Sequence, residues 1–83
     1  MRISILDAQH TIFQGAVWEA VLPATDGEMS ILDDHESIFV ALGKGLIRLV
    51  PMAKLGVHNL KPIRVHRGLA RMRNNELIIL CEI

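Results

Sequence analysis

The sequence of 83 residues predicts an all-β domain folded as an antiparallel sandwich or barrel. Apolar and polar residues alternate with a period of two, which indicates strands with one buried face. Turn-forming residues recur about every 8–12 residues, a spacing typical of antiparallel sandwiches and barrels. Because 51% of the residues are hydrophobic, the chain can build one core, and we expect residues 1–83 to form a single domain.

The strands with one buried face are predicted along most of the chain. Ile3 and Ile5 alternate with polar residues and predict the first strand. Around Arg48, Arg64 and Arg71 the same alternation recurs, with apolar neighbours on both sides of each arginine. We therefore expect three more strands that place apolar side chains on one face of a sheet and arginines on the other.

The C-terminal part of the chain predicts a hairpin. Segment 77–81 is apolar at every position, which predicts a strand that is covered on both sides. Asn74 and Asn75 lie just before it, and asparagine tolerates the left-handed backbone conformation. This pair therefore predicts a tight turn that joins a strand over 69–73 to a strand over 76–82.

Two signals in the middle of the chain are weaker. Pro62 lacks the N–H group that a central strand uses, so a strand over 61–66 is expected to start there or to lie at a sheet edge. From Asp34 to Leu42, apolar residues share one helical face behind an aspartate that could cap a helix. This stretch is too short to predict a helix, so the predicted fold class stays all-β.

Charge is unevenly distributed along the chain. Nine basic and nine acidic side chains balance overall. Residues 1–44 carry two basic and seven acidic side chains, and residues 45–83 carry seven basic and two acidic side chains. This asymmetry indicates either two faces for two different partners or two halves that antiparallel pairing interleaves in space.

No catalytic residue is predicted. None of the three serines lies in a Gly-x-Ser-x-Gly motif, and the sequence has no glycine-rich phosphate-binding loop. Cys81 lies in the most apolar segment, where a thiol is normally an inert packing group. We therefore expect a protein that is not an enzyme by itself and that binds no cofactor.

A membrane-spanning helix and a secretory signal are not expected either. The longest apolar run, residues 77–81, is far shorter than the roughly 20 residues that a membrane-spanning helix needs. The first three residues lead directly into alternating sequence, without the charged and apolar regions of a signal peptide. We expect an intracellular domain.

The acidic segment 33–36 is the one candidate for metal binding. Its carboxylates and imidazole could hold a divalent cation together with His10, His58 or His66. Consecutive residues on an extended backbone point to opposite faces, however, so at most two of the four side chains converge. We favour a solvated acidic turn, and a stand-alone sandwich that binds a divalent metal or a small anion remains the alternative function.

The arginines of the second half are the one candidate for nucleic-acid binding. Proteins that bind single strands on β-folds add aromatic side chains on which bases stack. None of the aromatic residues lies among the arginines; they are Phe13, Trp18 and Phe39. We therefore favour a polar sheet face that contacts solvent or protein, and we expect no nucleic-acid partner.

A longer pattern connects the sequence to a known family. Residues 21–35 read V-L-P-A-T-D-G-E-M-S-I-L-D-D-H, and residues 41–45 read A-L-G-K-G. This stretch resembles the N-terminal domain of the epsilon subunit of F-type ATP synthases, which typically reads L-P-G-x-x-G-E-x-G-[IV]-L-P-G-H-x-P-L-L-x-x-L-x-x-G. The family's F-x-G motif corresponds to residues 13–15, and its strand with a G-x-x-R/K pattern corresponds to residues 45–48. The resemblance spans essentially the whole chain.

The sequence also departs from the family pattern. Ala24 and Ser30 stand where glycines are usual, and Ser37 replaces a proline. Residues 33–34 are two aspartates instead of Pro-Gly, and Arg67 takes the place of the first glycine of a Gly-Gly pair. Because extra Cβ atoms at turn glycines restrict the backbone, the resemblance leaves the local loop conformations open. The region 51–61 does not follow the usual hairpin closely.

The resemblance implies a flattened antiparallel β-sandwich or barrel of about ten short strands. It also implies a non-catalytic subunit at the foot of the rotating central stalk, which binds the gamma subunit and the polar loops of the c-ring and couples ion-driven rotation to ATP synthesis. Such a subunit is a peripheral protein of the cytoplasmic face of the bacterial inner membrane, or of the equivalent organelle membrane, and associates with the membrane only through the complex.

The family usually continues with two C-terminal helices that inhibit ATP hydrolysis. The present sequence stops at Ile83, directly after its last predicted strand. A subunit of this native length is expected to lack that regulatory arm.

The resemblance further implies which residues meet each partner. Glu28 matches an acidic loop residue that approaches the c-ring in the family, and neighbouring acids would add negative potential opposite an arginine of the ring's polar loops. His35 matches a loop histidine near gamma, and we expect Asp7 at a strand end on the same side. The residues expected to contact the c-ring are Asp26, Glu28, Asp33 and Asp34. Those expected to contact gamma are Asp7, His35, Ile38 and Phe39.

Overall fold

The structure, a computed structural model, describes residues 1–52 and 60–83. The described residues form eight strands and no helix, which confirms the all-β prediction. In chain order the strands are β1 (Arg2–Leu6), β2 (Thr11–Ala24), β3 (Gly27–Leu32), β4 (Ile38–Leu42), β5 (Gly45–Pro51), β6 (Ile63–Val65), β7 (Arg67–Arg73) and β8 (Glu76–Glu82). The segment from Asp34 to Leu42, which carries the weak helical signal, forms no helix, and its second half is strand β4.

The long strand β2 belongs to two sheets. Its first half pairs with β1, and its second half lies between β3 and β5. The register with β5 shifts between Val17 and Glu19, which places a β-bulge at Trp18. Bulges bend a strand and let it pass from one sheet to the next. One strand of 14 residues thus serves both layers, which is one reason why the described residues form eight strands rather than about ten.

The two sheets share β2 and enclose the core between them. The pairings join the eight described strands into one continuous sheet, which folds into two layers that have β2 in common. We call the layer β4-β7-β8-β1-β2 the first sheet and the layer β3-β2-β5-β6 the second sheet. A bridge between Ala24 and Leu42 links β2 to β4 and closes the side of the sandwich. Among the described strands, β6 pairs with β5 alone and lies at an edge, which agrees with one of the two positions predicted from Pro62.

Strand pairing interleaves the acidic and basic halves of the chain. Strands β1, β2 and β4 from the first half pair with β8, β5 and β7 from the second. Arg48 of the basic half donates a hydrogen bond from Nη2 to Oε2 of Glu28 in the acidic half, at 2.5 Å. The linear charge asymmetry therefore does not become two separate halves of the molecule.

The core confirms the predicted alternation. Ile3 and Ile5 on β1 are buried, and so are the apolar neighbours of Arg48 and Arg71, while the arginines themselves are exposed. Among the described residues, no polar or charged side chain is buried. The core residues are Met1, Ile3, Ile5, Val17, Ala20, Leu22, Ile31, Val40, Leu42, Ile47, Leu49, Val65, Ala70, Met72, Leu77, Ile79 and Cys81.

The hairpin at the C-terminus is confirmed, but its second strand is covered on one side only. Asn74 and Asn75 have φ values of 52° and 57°, which suits a two-residue turn between β7 and β8. On β8, Leu77 and Ile79 are buried, whereas Leu80 is 53% exposed. The prediction of cover on both sides is wrong because no described element packs over the outer side of β8.

Candidate partner-binding surface

The outer side of the first sheet carries an apolar patch. Phe39, Leu69 and Leu80 are exposed by 73%, 56% and 53%, which is high for large apolar side chains. They lie on three neighbouring strands, and Leu69 pairs directly with Leu80 across β7 and β8. Ile78, on the same side of β8, is half-buried. We call Phe39, Leu69, Ile78 and Leu80 the outer apolar patch.

The outer apolar patch is a candidate surface for a protein partner. Its residues line one groove on the sheet, together with Ala70 and Arg71. Contiguous apolar surface of this kind marks interaction sites, whereas single exposed apolar side chains are normal on any protein. The arrangement suits burial under another apolar protein surface and offers no reactive group.

Of the four patch residues, only Phe39 is among the candidate contact residues that the sequence predicts. Phe39 was an expected gamma contact, and it lies at the edge of the patch. Leu69 has the same strand parity as Arg67 and Arg71, so an apolar residue on the polar side of β7 was a visible signal. The sequence predicts that segment 77–81 is covered on both sides, but the outer side of this strand, with Ile78 and Leu80, is part of the patch.

The four expected c-ring contacts fall at the two ends of β3. Asp26 and Glu28 are exposed at the hairpin turn between β2 and β3. Asp33 and Asp34 follow the other end of the strand, about 17 Å away along an extended chain of this length. The structure therefore does not bring the four carboxylates together at one place.

Asp33 is held by partners within the chain. The ammonium group of Met1 donates hydrogen bonds to the Asp33 carboxylate and, at 2.9 Å, to the carbonyl of Val17. Asn75 donates from Nδ2 to the same carboxylate at 3.3 Å and accepts from the backbone N–H of Asp34 at 2.7 Å. We call these groups the ammonium network.

The ammonium network lowers the pKa of Asp33. The hydrogen bond from the Met1 ammonium is the largest cause, and the bond from Asn75 and the positive charge of the ammonium act in the same direction. Partial loss of solvent raises the pKa, but it does not outweigh the hydrogen bond. The carboxylate of Asp33 is thus stabilised in its ionised form by the fold itself.

Asp7 also has a structural role. Its Oδ1 accepts hydrogen bonds from the backbone N–H groups of Gln9 and His10, both at 2.8 Å, in the turn before β2. These two bonds, with that of Gln9 the larger, lower the pKa of Asp7. The turn lies beyond the Leu6 end of β1, and Leu6 pairs with Leu80 of β8.

The expectation that Asp7 shares a side with His35 is wrong. Asp34, next to His35, bonds to Asn75, which lies just before the end of β8 that pairs with Arg2. Asp7 follows the opposite end of β1. The sequence could not reveal this separation because it depends on the pairing of β1 with β8, strands more than 70 residues apart.

Along the chain, His35 and Ile38 lie between Asp34 of the ammonium network and Phe39 of the patch. His35 is half-buried, and its Nδ1 lies 2.7 Å from the carbonyl oxygen of Glu36. Ile38 is half-buried and packs against the core, on the other side of β4 from Phe39. Of these neighbours, only Phe39 presents most of its side chain outward.

The described residues do not assemble a metal site. Among residues 1–52 and 60–83, no group of three histidine, cysteine, aspartate or glutamate side chains is close enough to hold an ion. Within the acidic segment 33–36, Asp33 is bound to the Met1 ammonium. His58 and most of the segment 51–61, where the sequence departs from the family pattern, lie outside the described residues.

Comparison with known families identifies the fold. Residues 1–83 match the family described as the ATP synthase delta/epsilon chain, beta-sandwich domain. The chain belongs to this family. Family membership agrees with the observed sandwich and with the resemblance in residues 21–35. The described residues contain no helix that is long and apolar enough to cross a membrane.

Individual relatives support the same family. An ATP synthase epsilon chain of Synechococcus sp. is 29% identical over 80 residues, which cover 96% of this chain and 55% of the relative. An ATP synthase epsilon chain of Gloeobacter violaceus is 31% identical over 80 residues, which cover 96% of this chain and 57% of the relative. The chain thus spans little more than half the length of these relatives.

Solved structures share the fold at low identity. A chain in the central stalk/c-ring structure of Tetrahymena thermophila mitochondrial ATP synthase superposes with a TM-score of 0.81 at 9% identity. The match covers all of this chain and 63% of that one. A chain in the OSCP/F1/c-ring structure of Euglena gracilis mitochondrial ATP synthase gives 0.77 at 18% identity, covering 95% and 48%.

Proposed function

We propose that this protein is a non-catalytic central-stalk subunit of an F-type ATP synthase. In this role it links the gamma subunit to the c-ring and couples ion-driven rotation to ATP synthesis. It associates with the membrane only through the complex, at the face where the catalytic head lies. Family membership over residues 1–83 supports the proposal, as do relatives named ATP synthase epsilon chain.

The proposed contact with gamma is supported by the exposure of the outer apolar patch. A rotor subunit must hold its neighbour through every rotation, and burial of apolar surface stabilises association by about 25 cal/mol per Å² before its costs. Phe39, Leu69 and Leu80 offer such surface on one face. We assign gamma to this face, with Phe39 as the most exposed member and with His35 and Ile38 supporting the adjacent loop and strand.

The proposed contact with the c-ring is supported by the acidic hairpin turn between β2 and β3. Asp26 and Glu28 are exposed, and Gly27 between them has a φ of 121°, which shapes a turn that projects from the sheet. Arg48 already donates a hydrogen bond to Oε2 of Glu28, so the Asp26 carboxylate and Oε1 of Glu28 are the atoms that suit a basic polar loop. Asp33 and Asp7 contribute to partner binding through the backbone segments that their carboxylates hold in place. Asp34 contributes through the same loop as Asp33, which its backbone N–H ties to Asn75.

Co-expression with the gamma subunit of the same enzyme tests the proposal. The two proteins should co-elute from a size-exclusion column as a one-to-one complex. Phe39→Ser should abolish co-elution, because it removes the largest exposed apolar side chain of the patch. Val50→Ser, on the outer side of the second sheet and 43% exposed, is the matched control that should co-elute normally. Separate elution of two folded wild-type proteins would refute the stalk role.

The c-ring contact has its own test. The double substitution Asp26→Lys and Glu28→Lys should weaken binding to detergent-solubilised c-ring, with binding to gamma unchanged. Asp26→Asn with Glu28→Gln separates charge from shape and should give an intermediate loss. Unchanged ring binding by the lysine variant would contradict the assignment of these residues.

A further inference from the structure

Arg71 lies beside the outer apolar patch, and its neighbours on both adjacent strands are apolar. Arg71 lies on β7 between Leu69 and Arg73 on the exposed side of the strand. Its direct cross-strand neighbours are Phe39 on β4 and Ile78 on β8. Arg71 lines the groove together with the four patch residues.

The other arginines on this side of β7 face acidic residues. Arg67 pairs with Glu82 in the register and donates from Nε to its Oε2 at 3.0 Å. Arg73 pairs in the register with Glu76. Arg71 alone of the three has apolar residues opposite it on both neighbouring strands.

Arg71 makes no ion pair with the described part of the chain. The arginine ion pairs among residues 1–52 and 60–83 are Arg48 with Glu28 and Arg67 with Glu82. Glu76 is diagonal to Arg71 and directly opposite Arg73. Residues 53–59, which the structure does not describe, contain no aspartate or glutamate. The residues of this sequence that the structure describes therefore provide no carboxylate partner for Arg71.

We infer that Arg71 is the specificity-determining residue of the patch and binds a carboxylate of the gamma subunit. This inference rests on the proposed function, which places gamma on the patch. Docking of an apolar surface over Phe39, Leu69 and Leu80 removes water from the guanidinium between them. A desolvated charge without a partner opposes binding, whereas an Arg–carboxylate pair with two parallel hydrogen bonds restores the lost contacts and sets the register.

The charge distribution of this face favours an acidic partner surface. Arg67 and Glu82 neutralise each other at one end of β7, and Arg73 lies opposite Glu76 at the other. Among the described residues that line this groove, Arg71 carries the one positive charge. A second copy of this chain would bring Arg71 against another arginine-bearing face, and like charges at an interface oppose association.

Affinity measurements with the co-expressed gamma subunit test the inference. Arg71→Glu should weaken binding by roughly 30-fold or more, because it places two carboxylates together in a desolvated site. Arg71→Gln should give a smaller loss and a weaker dependence of affinity on salt, since the charge is removed without reversal. Arg73→Glu is the matched control on the same strand and the same side, and it should bind within a few-fold of wild type.

A complementary change in gamma identifies the partner carboxylate. One Asp→Lys or Glu→Lys substitution in gamma should restore binding of Arg71→Glu while it weakens binding of the wild type. Equal binding by wild type and Arg71→Glu, or equal losses for Arg71→Glu and Arg73→Glu, would overturn the inference and leave the stalk role intact. Failure of the wild type to bind gamma would instead overturn the proposed function. Thermal unfolding of each variant checks that the exposed substitutions leave the fold unchanged.

Discussion

The ammonium network and the outer apolar patch differ in where their side chains find partners. In the network, the Asp33 carboxylate is bound by the Met1 ammonium and by Asn75. In the patch, Phe39 and Leu80 are exposed and Arg71 faces apolar residues. The carboxylate of Asp33 is therefore used to stabilise the fold, whereas the exposed side chains of the patch remain available to a partner. The two regions show the two uses of side chains within one small domain.

The largest expected effect contrasts two adjacent residues of β8. Ile79 is fully buried, and Ile79→Ala should lower the free energy of unfolding by about 2–5 kcal/mol because it leaves a cavity in the core. Leu80→Ala should lower it by less than about 1 kcal/mol, because the side chain is 53% exposed, but it should weaken gamma binding. Urea unfolding and gamma binding are measured on both. Equal losses of stability would mean that both sides of β8 are packed.

A smaller effect contrasts the two asparagines of the hairpin turn. Both have positive φ, a conformation that glycine adopts readily, so glycine substitutions keep the turn and remove only the side chains. Asn75→Gly should cost about 1–2 kcal/mol because it removes the hydrogen bonds to Asp33 and Asp34. Asn74→Gly should change stability by less than about 0.5 kcal/mol. Urea unfolding that gives equal values for the two variants would contradict the structural role of the network.

The smallest effect is a change in acid stability. Because the folded state lowers the pKa of Asp33 below its usual 3.8, the carboxylate adds stability above the pKa of the unfolded chain, near pH 4. That contribution is lost as the pH falls through the lower pKa of the folded state. Asp33→Asn should therefore be less stable than wild type at pH 7, and the gap should narrow in acid. A difference in the free energy of unfolding between wild type and Asp33→Asn that stays constant from pH 6 to pH 2 would contradict the stabilising role of the network.

Local signals predicted much of the fold. The alternation around Arg48 and Arg71 identified strands and their buried sides, since strand parity is a property of neighbouring residues. The pair Asn74-Asn75 predicted the final turn, since left-handed backbone limits the residues that fit. The missing N–H group of Pro62 predicted a strand that starts at Pro62 or lies at an edge, and among the described strands β6 lies at an edge.

Features that depend on distant residues could not be predicted. Asp33 was expected to contact the c-ring, but its ammonium partner lies 32 residues away in sequence. Segment 77–81 was expected to be covered on both sides, because an apolar run does not say what lies over it. Arg71 looked like any exposed strand arginine until the register placed Phe39 and Ile78 opposite it. The expected partner contacts of all these residues, Asp33 included, stay predictions.

Methyl NMR of the chain titrated with gamma tests the central claim most directly, since it reports both outer faces in one experiment. The methyl signals of Leu69, Ile78 and Leu80 should shift or broaden as gamma is added. The signals of Leu32 and Val50, exposed on the second sheet, should stay in place. Shifts confined to Leu32 and Val50, with the patch signals unchanged, would contradict the assignment of gamma to the outer apolar patch.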